Sequence, residues 1–271
     1  MSSSFYNPKE KIRIFNTLVD PVTESASRDI LSAFLEEDAF HWVFTPNTEI
    51  VMALKDDEKK ANRMNEADLS VPDGIGLVIG SKIVGHPLKE RVTGYDLSIY
   101  LLELAREKGK HIFFLGGEPG IASSAKARVE AQYGSIVCGE HHGYFKGAHR
   151  GYENSEEEAA VIRAINESGA DILFVGLGFP KQEQFILNNK EKFEHVTLAI
   201  GNGGVLDILA GKAKRAPKIF IRLHLEWFYR LVKNPSRLSR QVAIPKFLWE
   251  IVRNKKAVTV VKENRGGTHA S

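Results

Sequence analysis

In the stretch ADLSVPDGIGLVIG, Ala67 to Gly80, one carboxylate, Asp73, stands between a proline and a glycine with apolar residues on either side. A Pro-Asp-Gly turn fixes the backbone and leaves space beside the acid. Asp73 therefore suits an Asx-type turn, a helix N-cap, or a reactive carboxylate held out to a substrate. A second polar group follows a glycine loop in GLGFPKQEQF, where Pro180 opens a helix and Lys181, Gln182 and Glu183 occupy its first turn beside free N–H groups. Capping explains one such residue, whereas three adjacent polar heads suggest contact with a ligand.

Several familiar chemistries do not fit. GIGLVIG has one residue too many before its third glycine for a dinucleotide fingerprint, and Asp96, about twenty positions on, falls at a helix start rather than a strand end. The chain holds no P-loop, HExxH or GxSxG, its His141-His142 pair reads as loop surface, and no Cys/His cluster has metal-ligand spacing. No metal and no cofactor are expected. The Asp-x-Asp that often holds a divalent cation on a diphosphate is also missing. A bound diphosphate would have to be met by backbone N–H groups at helix N-termini and by arginines.

The elements that must hold these groups follow one rhythm. Short apolar runs, HWVFT (41–45), HIFFLGG (111–117), SIVCG (135–139), DILFVGLG (171–178) and HVTLAIGNGG (195–204), are each closed by turn residues. Between them lie stretches with i, i+3, i+4 apolar spacing: TEIVMALKDDEKKANRMNEA, YDLSIYLLELAREKG, IASSAKARVEAQYG and SEEEAAVIRAINESG. Strand then helix, repeated, predicts an α/β, Rossmann-like fold with a mainly parallel sheet covered by helices on both faces. In such sheets ligands gather at the carboxyl ends of the strands. That edge collects Thr45-Pro46-Asn47, Pro72-Asp73-Gly74, Gly116 to Gly120, Gly143 to Phe145, Gly176 to Glu183 and Gly201 to Gly204, the pattern of an enzyme rather than a scaffold.

At 271 residues and 43% hydrophobic composition the chain can bury a large core. Its single cysteine, Cys138, forms no internal bridge, and no signal segment or long apolar span is evident, so a cytoplasmic protein is expected. The net charge of +3 hides an asymmetry: Lys212 to Lys256 carries thirteen Lys/Arg against Glu226 and Glu250, a local +11, while residues 1–211 carry −9. The reading divides the chain into an α/β body at 1–211, a basic amphipathic helical appendage at 212–256 and a disordered tail at 257–271. On a helical wheel Phe220, Leu223, Trp227 and Leu231, extended by Ile221, Leu225, Phe228 and Val232, give an apolar arc about twice the stripe one core needs. A basic appendage of this kind meets something anionic: phosphates, nucleic acid or a lipid surface. Nucleic acid would leave the glycine-rich edge unexplained. Cutting the chain after Gly211 is expected to leave a folded body.

Taken in order, TPNTEIV, ADLSVPDGIGLV, ERVTGYDL, FFLGGEPG, GYF, DILFVGLGFPKQEQF, GNGGVLDILAGKAKRAP and LEWFYRLVKNPSRLSR resemble the WecG/TagA/CpsF glycosyltransferase family from about residue 12 to about 241. The resemblance implies inverting, metal-independent transfer of N-acetylmannosamine from a UDP-sugar donor to N-acetylglucosamine on undecaprenyl diphosphate, a polyprenyl-diphosphate-linked sugar acceptor, in surface polysaccharide or teichoic acid linkage-unit synthesis. UDP-N-acetylmannosaminuronic acid, UDP-glucuronic acid and UDP-glucose are the alternative donors. Asp73 matches the family's catalytic base, Thr45 and Asn47 match positions lining its sugar pocket, and Gln182 matches a polar residue there. Arg91 in ERVTG would counter a phosphate or orient the acceptor, or else form an ion pair with Glu90 or Asp96. Arg230, Arg237 and Arg240 match arginines that fold over the site and contact the leaving UDP, a task suited to a bidentate guanidinium; Arg215 in KRAP is a further candidate. The resemblance also implies a peripheral protein on the inner face of the membrane, docked on its anionic surface, and a homo-oligomer of low activity in free solution. Trp227, Phe228, Tyr229 and Trp249 suit the interface.

Overall fold

A computed structural model of the chain describes residues 10–223, 225–233 and 243–262. Six strands form the main sheet: β3 (His41–Phe44), β4 (Leu69–Ser70), β5 (Ile112–Gly116), β6 (Val137–His141), β7 (Ile172–Gly176) and β8 (Leu198–Gly201). They lie in the order β4-β3-β8-β7-β5-β6, and every neighbouring pair is parallel. The five apolar runs read from the sequence are five of these strands. β4, two residues long, is the sixth.

Continuous apolar runs are what a sheet buried on both faces requires, and the side chains divide strictly by period 2. Val43, Ile112, Phe114, Ile172, Phe174, Leu198 and Ile200 pack against α1 (Glu24–Phe34), α5 (Gly94–Lys108) and α6 (Ile121–Tyr133). Trp42, Phe44, Phe113, Leu115, Leu173, Val175 and Ala199 pack on the other face against α2 (Thr48–Leu54), α3 (Glu58–Met64), α7 (Glu156–Glu167) and α8 (Lys181–Asn189). The α/β class and its two helical layers are as the sequence predicts. The stretch 48–67, which reads as one helix, is two: Asp57 accepts the Lys60 N–H at 2.9 Å and so caps a new start at α3.

A second, antiparallel sheet has the order β2-β1-β9, from β1 (Glu10–Ile14), β2 (Thr17–Val19) and β9 (Val258–Lys262). This corrects the expected disordered tail at 257–271 for residues 258–262. The β-branched run Val258-Thr259-Val260-Val261 favours a strand, and β1 supplies its partner, with Ile12 opposite Val260.

The remaining α-helices among the described residues are α4 (Ile75–Ile83), α9 (Val205–Leu209), α10 (Lys218–Arg222), α11 (Glu226–Lys233) and α12 (Ala243–Arg253). The single amphipathic helix drawn through 220–232 is instead α10 and α11, and Leu225 N–H turns back to the Phe220 carbonyl at 2.7 Å. α12 sinks Phe247 and Ile251 into a third core with Ile12, Ile14, Val51, Leu77 and Val258. Gly80 on α4 makes room for it: a Cβ there would stand 2.5 Å from Phe247 Cε1. Residues 243–262 thus return to the body rather than extending from it. No helix among the described residues is long and apolar enough to cross a membrane.

Candidate functional site

Asp73 lies just past β4, at the carboxyl edge of the parallel sheet, and its backbone is held on both sides. Its N–H donates to the carbonyls of Pro46 and Val71, each at 3.0 Å, and its own carbonyl accepts from Arg91 Nε at 2.9 Å. The carboxylate, 27% exposed, accepts from the Gly94 N–H at 3.3 Å and faces Arg91 Nη2 at 3.6 Å. Gly94 begins α5, so this N–H is one of the helix's orphan donors, and the carboxylate meets positive charge from the helix end and from the guanidinium. The turn itself lies on the start of α2: a Cβ on Gly74 would come within 2.9 Å of Thr48 N, and one on Gly76 within 2.5 Å of Thr48 Oγ1. The backbone of the Pro-Asp-Gly stretch makes the turn while its carboxylate stays partly exposed.

The other residues singled out in the sequence join this acid through short contacts. Thr45, buried, donates its hydroxyl to the Gly201 carbonyl at 3.2 Å, and its methyl is what a Cβ on Gly94 would strike, at 3.2 Å. Gln182 flanks the same Gly201 from the far side. Its Oε1 accepts the N–H groups of Gly178 and Gly203, at 3.1 and 2.9 Å, so one side chain ties the loop after β7 to the loop after β8. Asn47 caps α2 by accepting the Ile50 N–H at 3.0 Å. A continuous path, Asp73 to Gly94 to Thr45 to Gly201 to Gln182, thus spans the sheet edge from β4 to β7. Beyond it β5 and β7 approach backbone to backbone at Gly116, whose φ of +144° and missing Cβ, which would stand 2.4 Å from the Gly176 carbonyl oxygen, leave room for no other residue.

Arg91 does not pair with Glu90 or Asp96. Glu90 accepts the N–H of Glu24 at the start of α1, and Asp96 is taken by Arg215, 2.7 Å away, whose guanidinium also lies over the Tyr95 ring. Arg91 instead joins Asp73 to Glu226 in the first turn of α11, at 2.5 Å. Glu226, which reads from the sequence as an acid on the polar side of a basic helix, is the partner of Arg91 that sequence reading missed. Arg237 and Arg240 lie outside the described residues, as does the side chain of Arg230, whose backbone is in α11. Among the described residues no group of three or more His, Cys, Asp or Glu side chains is placed to hold a metal ion. An open hollow of about 750 Å³ beside α7 and α8, lined in part by Arg63, Ser155, Glu158 and Lys192, shares no residue with the Asp73 cluster.

Next to Gln182, burial pushes the Glu183 carboxyl up from an ordinary 4.5 to about 7, against the smaller opposing pull of the Gln182 amide, which donates to it at 2.8 Å. A raised folded-state value means that the stability is present in full below 4.5 and is lost as pH rises through about 7. Glu183→Gln is therefore expected to gain roughly 3 kcal/mol on the wild type between pH 4 and pH 8. Denaturant midpoints of both proteins across that range measure it, and a constant gap would show that Glu183 ionises freely in the folded chain.

A family model described as the glycosyl transferase WecG/TagA/CpsF family matches residues 12–259, which carries the likeness past residue 241 and through α12. A Bacillus spizizenii protein named N-acetylglucosaminyldiphosphoundecaprenol N-acetyl-beta-D-mannosaminyltransferase is 35% identical over 240 residues, covering 88% of this chain and 89% of that protein. Proteins of the same name from Bacillus subtilis strain 168 and Staphylococcus aureus strain MW2 are 34% and 33% identical, covering 82% of this chain and 80% and 83% of their own lengths.

Proposed function

Since the chain belongs to the WecG/TagA/CpsF family of glycosyl transferases, we propose that it moves N-acetylmannosamine from UDP-N-acetylmannosamine to N-acetylglucosamine carried on undecaprenyl diphosphate. The observation that carries this reading is the setting of Asp73: a partly exposed carboxylate at the mouth of a parallel sheet, fixed through its backbone and directed by Arg91. As the acceptor hydroxyl oxygen bonds to the anomeric carbon of the donor sugar, the Asp73 carboxylate takes its proton. The bond from that carbon to the diphosphate oxygen breaks, and its electron pair leaves with UDP. Attack from the side opposite UDP inverts the configuration at the anomeric carbon. Thr45, Asn47 and Gln182, which lie along the same sheet edge as the acid, are assigned to the sugar. Arg230, Arg237 and Arg240 are assigned to the charge of the departing UDP.

The acceptor's lipid stays in the bilayer, so the protein must come to the surface. The +11 segment from Lys212 to Lys256 supports docking on the inner, anionic face, at roughly 1 kcal/mol per well-placed basic residue. Trp249, 62% exposed on α12, and Phe228 on α11 offer interfacial anchors. The test is transfer by the purified full chain from a panel of UDP-sugars to a short-chain lipid-diphosphate-N-acetylglucosamine. Product and UDP release with UDP-N-acetylmannosamine are expected. Transfer only from UDP-glucose or from a UDP-uronic acid would overturn the donor assignment, and transfer from none would overturn the reading.

A further inference from the structure

Glu226 opens α11 and is only 5% exposed, yet the reaction above has no use for it. Its Oε2 lies 2.5 Å from Arg91 Nη1, a close ion contact rather than a well-aligned hydrogen bond. The same guanidinium turns Nε onto the Asp73 carbonyl at 2.9 Å and Nη2 toward the Asp73 carboxylate at 3.6 Å. All three nitrogens of a rigid planar fork are thus engaged, two by the acid and one by the appendage. Such a fork cannot rotate without giving up one of these contacts, so the seat of α11 and the orientation of Asp73 are mechanically linked. Charge points the same way: without Glu226, Arg91 would attract the Asp73 carboxylate undivided and draw it away from an acceptor hydroxyl.

We propose that Glu226 is a positioning residue for sugar transfer: by holding Arg91 it fixes the Asp73 carboxylate and makes proton removal depend on α11 being seated on the body. This inference rests on Asp73 acting as the base.

Full-length protein assayed with the UDP-sugar and the lipid-diphosphate acceptor tests it. Glu226→Gln keeps the shape and one carbonyl acceptor but removes the charge. Its kcat should fall about 10- to 100-fold, the scale set by small misplacement of a catalytic group, while the donor KM stays within about twofold and the thermal midpoint stays near wild type. Glu226→Asp, which keeps the charge, should recover most of kcat. Arg91→Lys with Glu226→Gln should be no slower than Arg91→Lys alone, because the carboxylate acts only through the fork. An unchanged kcat in Glu226→Gln, additive losses in the double variant, or a variant that binds UDP more tightly and turns over faster would each overturn the proposal; the last would make Glu226 a plug on Arg91. A wild-type chain that transfers no sugar would overturn the functional reading itself, whereas an active wild type indifferent to Glu226→Gln overturns only this inference.

Discussion

Replacing Asp73 by asparagine is expected to lower kcat by about 100- to 10,000-fold, the range lost when a positioned proton acceptor is removed, with UDP-sugar affinity retained. Asparagine has the same shape, and the contacts that fix this turn are mostly backbone ones: the Asp73 N–H to Pro46 and Val71, and its carbonyl to Arg91. An amide oxygen still accepts the Gly94 N–H that the carboxylate accepts now. Proton affinity and charge are lost, and with the charge the attraction to Arg91. Steady-state kinetics beside calorimetric binding of UDP measure the two effects separately. If Asp73 serves the turn alone, the variant would keep its rate and stay within about 0.5 kcal/mol of the wild-type stability, since asparagine caps as well as aspartate does.

Phe247→Ala is expected to destabilise the protein by about 3–5 kcal/mol and to lower its thermal midpoint by roughly 10 °C. The ring is fully buried, seated over Gly80 and edge-on to Phe15, so its loss opens a cavity between α12, α4 and β1. Ile251 and the partly buried Leu248 would then be left to hold α12 in that core. Cutting after Gly211 should do more than the sequence division at that point suggests. It removes α12 and β9 together, uncovering Ile12, Ile14, Val51 and Leu77. Thermal unfolding, with amide exchange in β1 as a local probe, checks both changes. A midpoint unmoved in Phe247→Ala would make residues 243–262 an accessory to the fold.

The sheet was legible because its strands are unbroken apolar runs ended by glycine or by a polar turn, and α5, α6 and α7 because their apolar residues recur at helical spacing. β4, two residues long, showed in the sequence only through the Pro72-Asp73-Gly74 turn placed at the strand edge, and β9 read as tail because the partner that makes it a strand is β1, at the other end of the sequence. At the site, Asp73 was legible from its own neighbours. The bond from Thr45 to Gly201 was not, since it depends on β3 lying beside β8, which no local pattern encodes. Arg91 shows the limit most clearly. Glu90 and Asp96 were the nearest acids in sequence, but each has another partner, and the partner Arg91 takes comes from a helix 135 positions away.

The β1–β9 pairing joins segments made at very different times during synthesis. While the ribosome is still reading the middle of the message, β1 presents Ile12, Ile14 and an unsatisfied strand edge, with only β2 beside it. Such an edge recruits wrong partners, and the right one emerges only after the whole parallel sheet has been translated. A stalled or clipped nascent chain would therefore carry a sticky strand that a completed one has hidden, giving quality control a simple mark by which to tell the two apart.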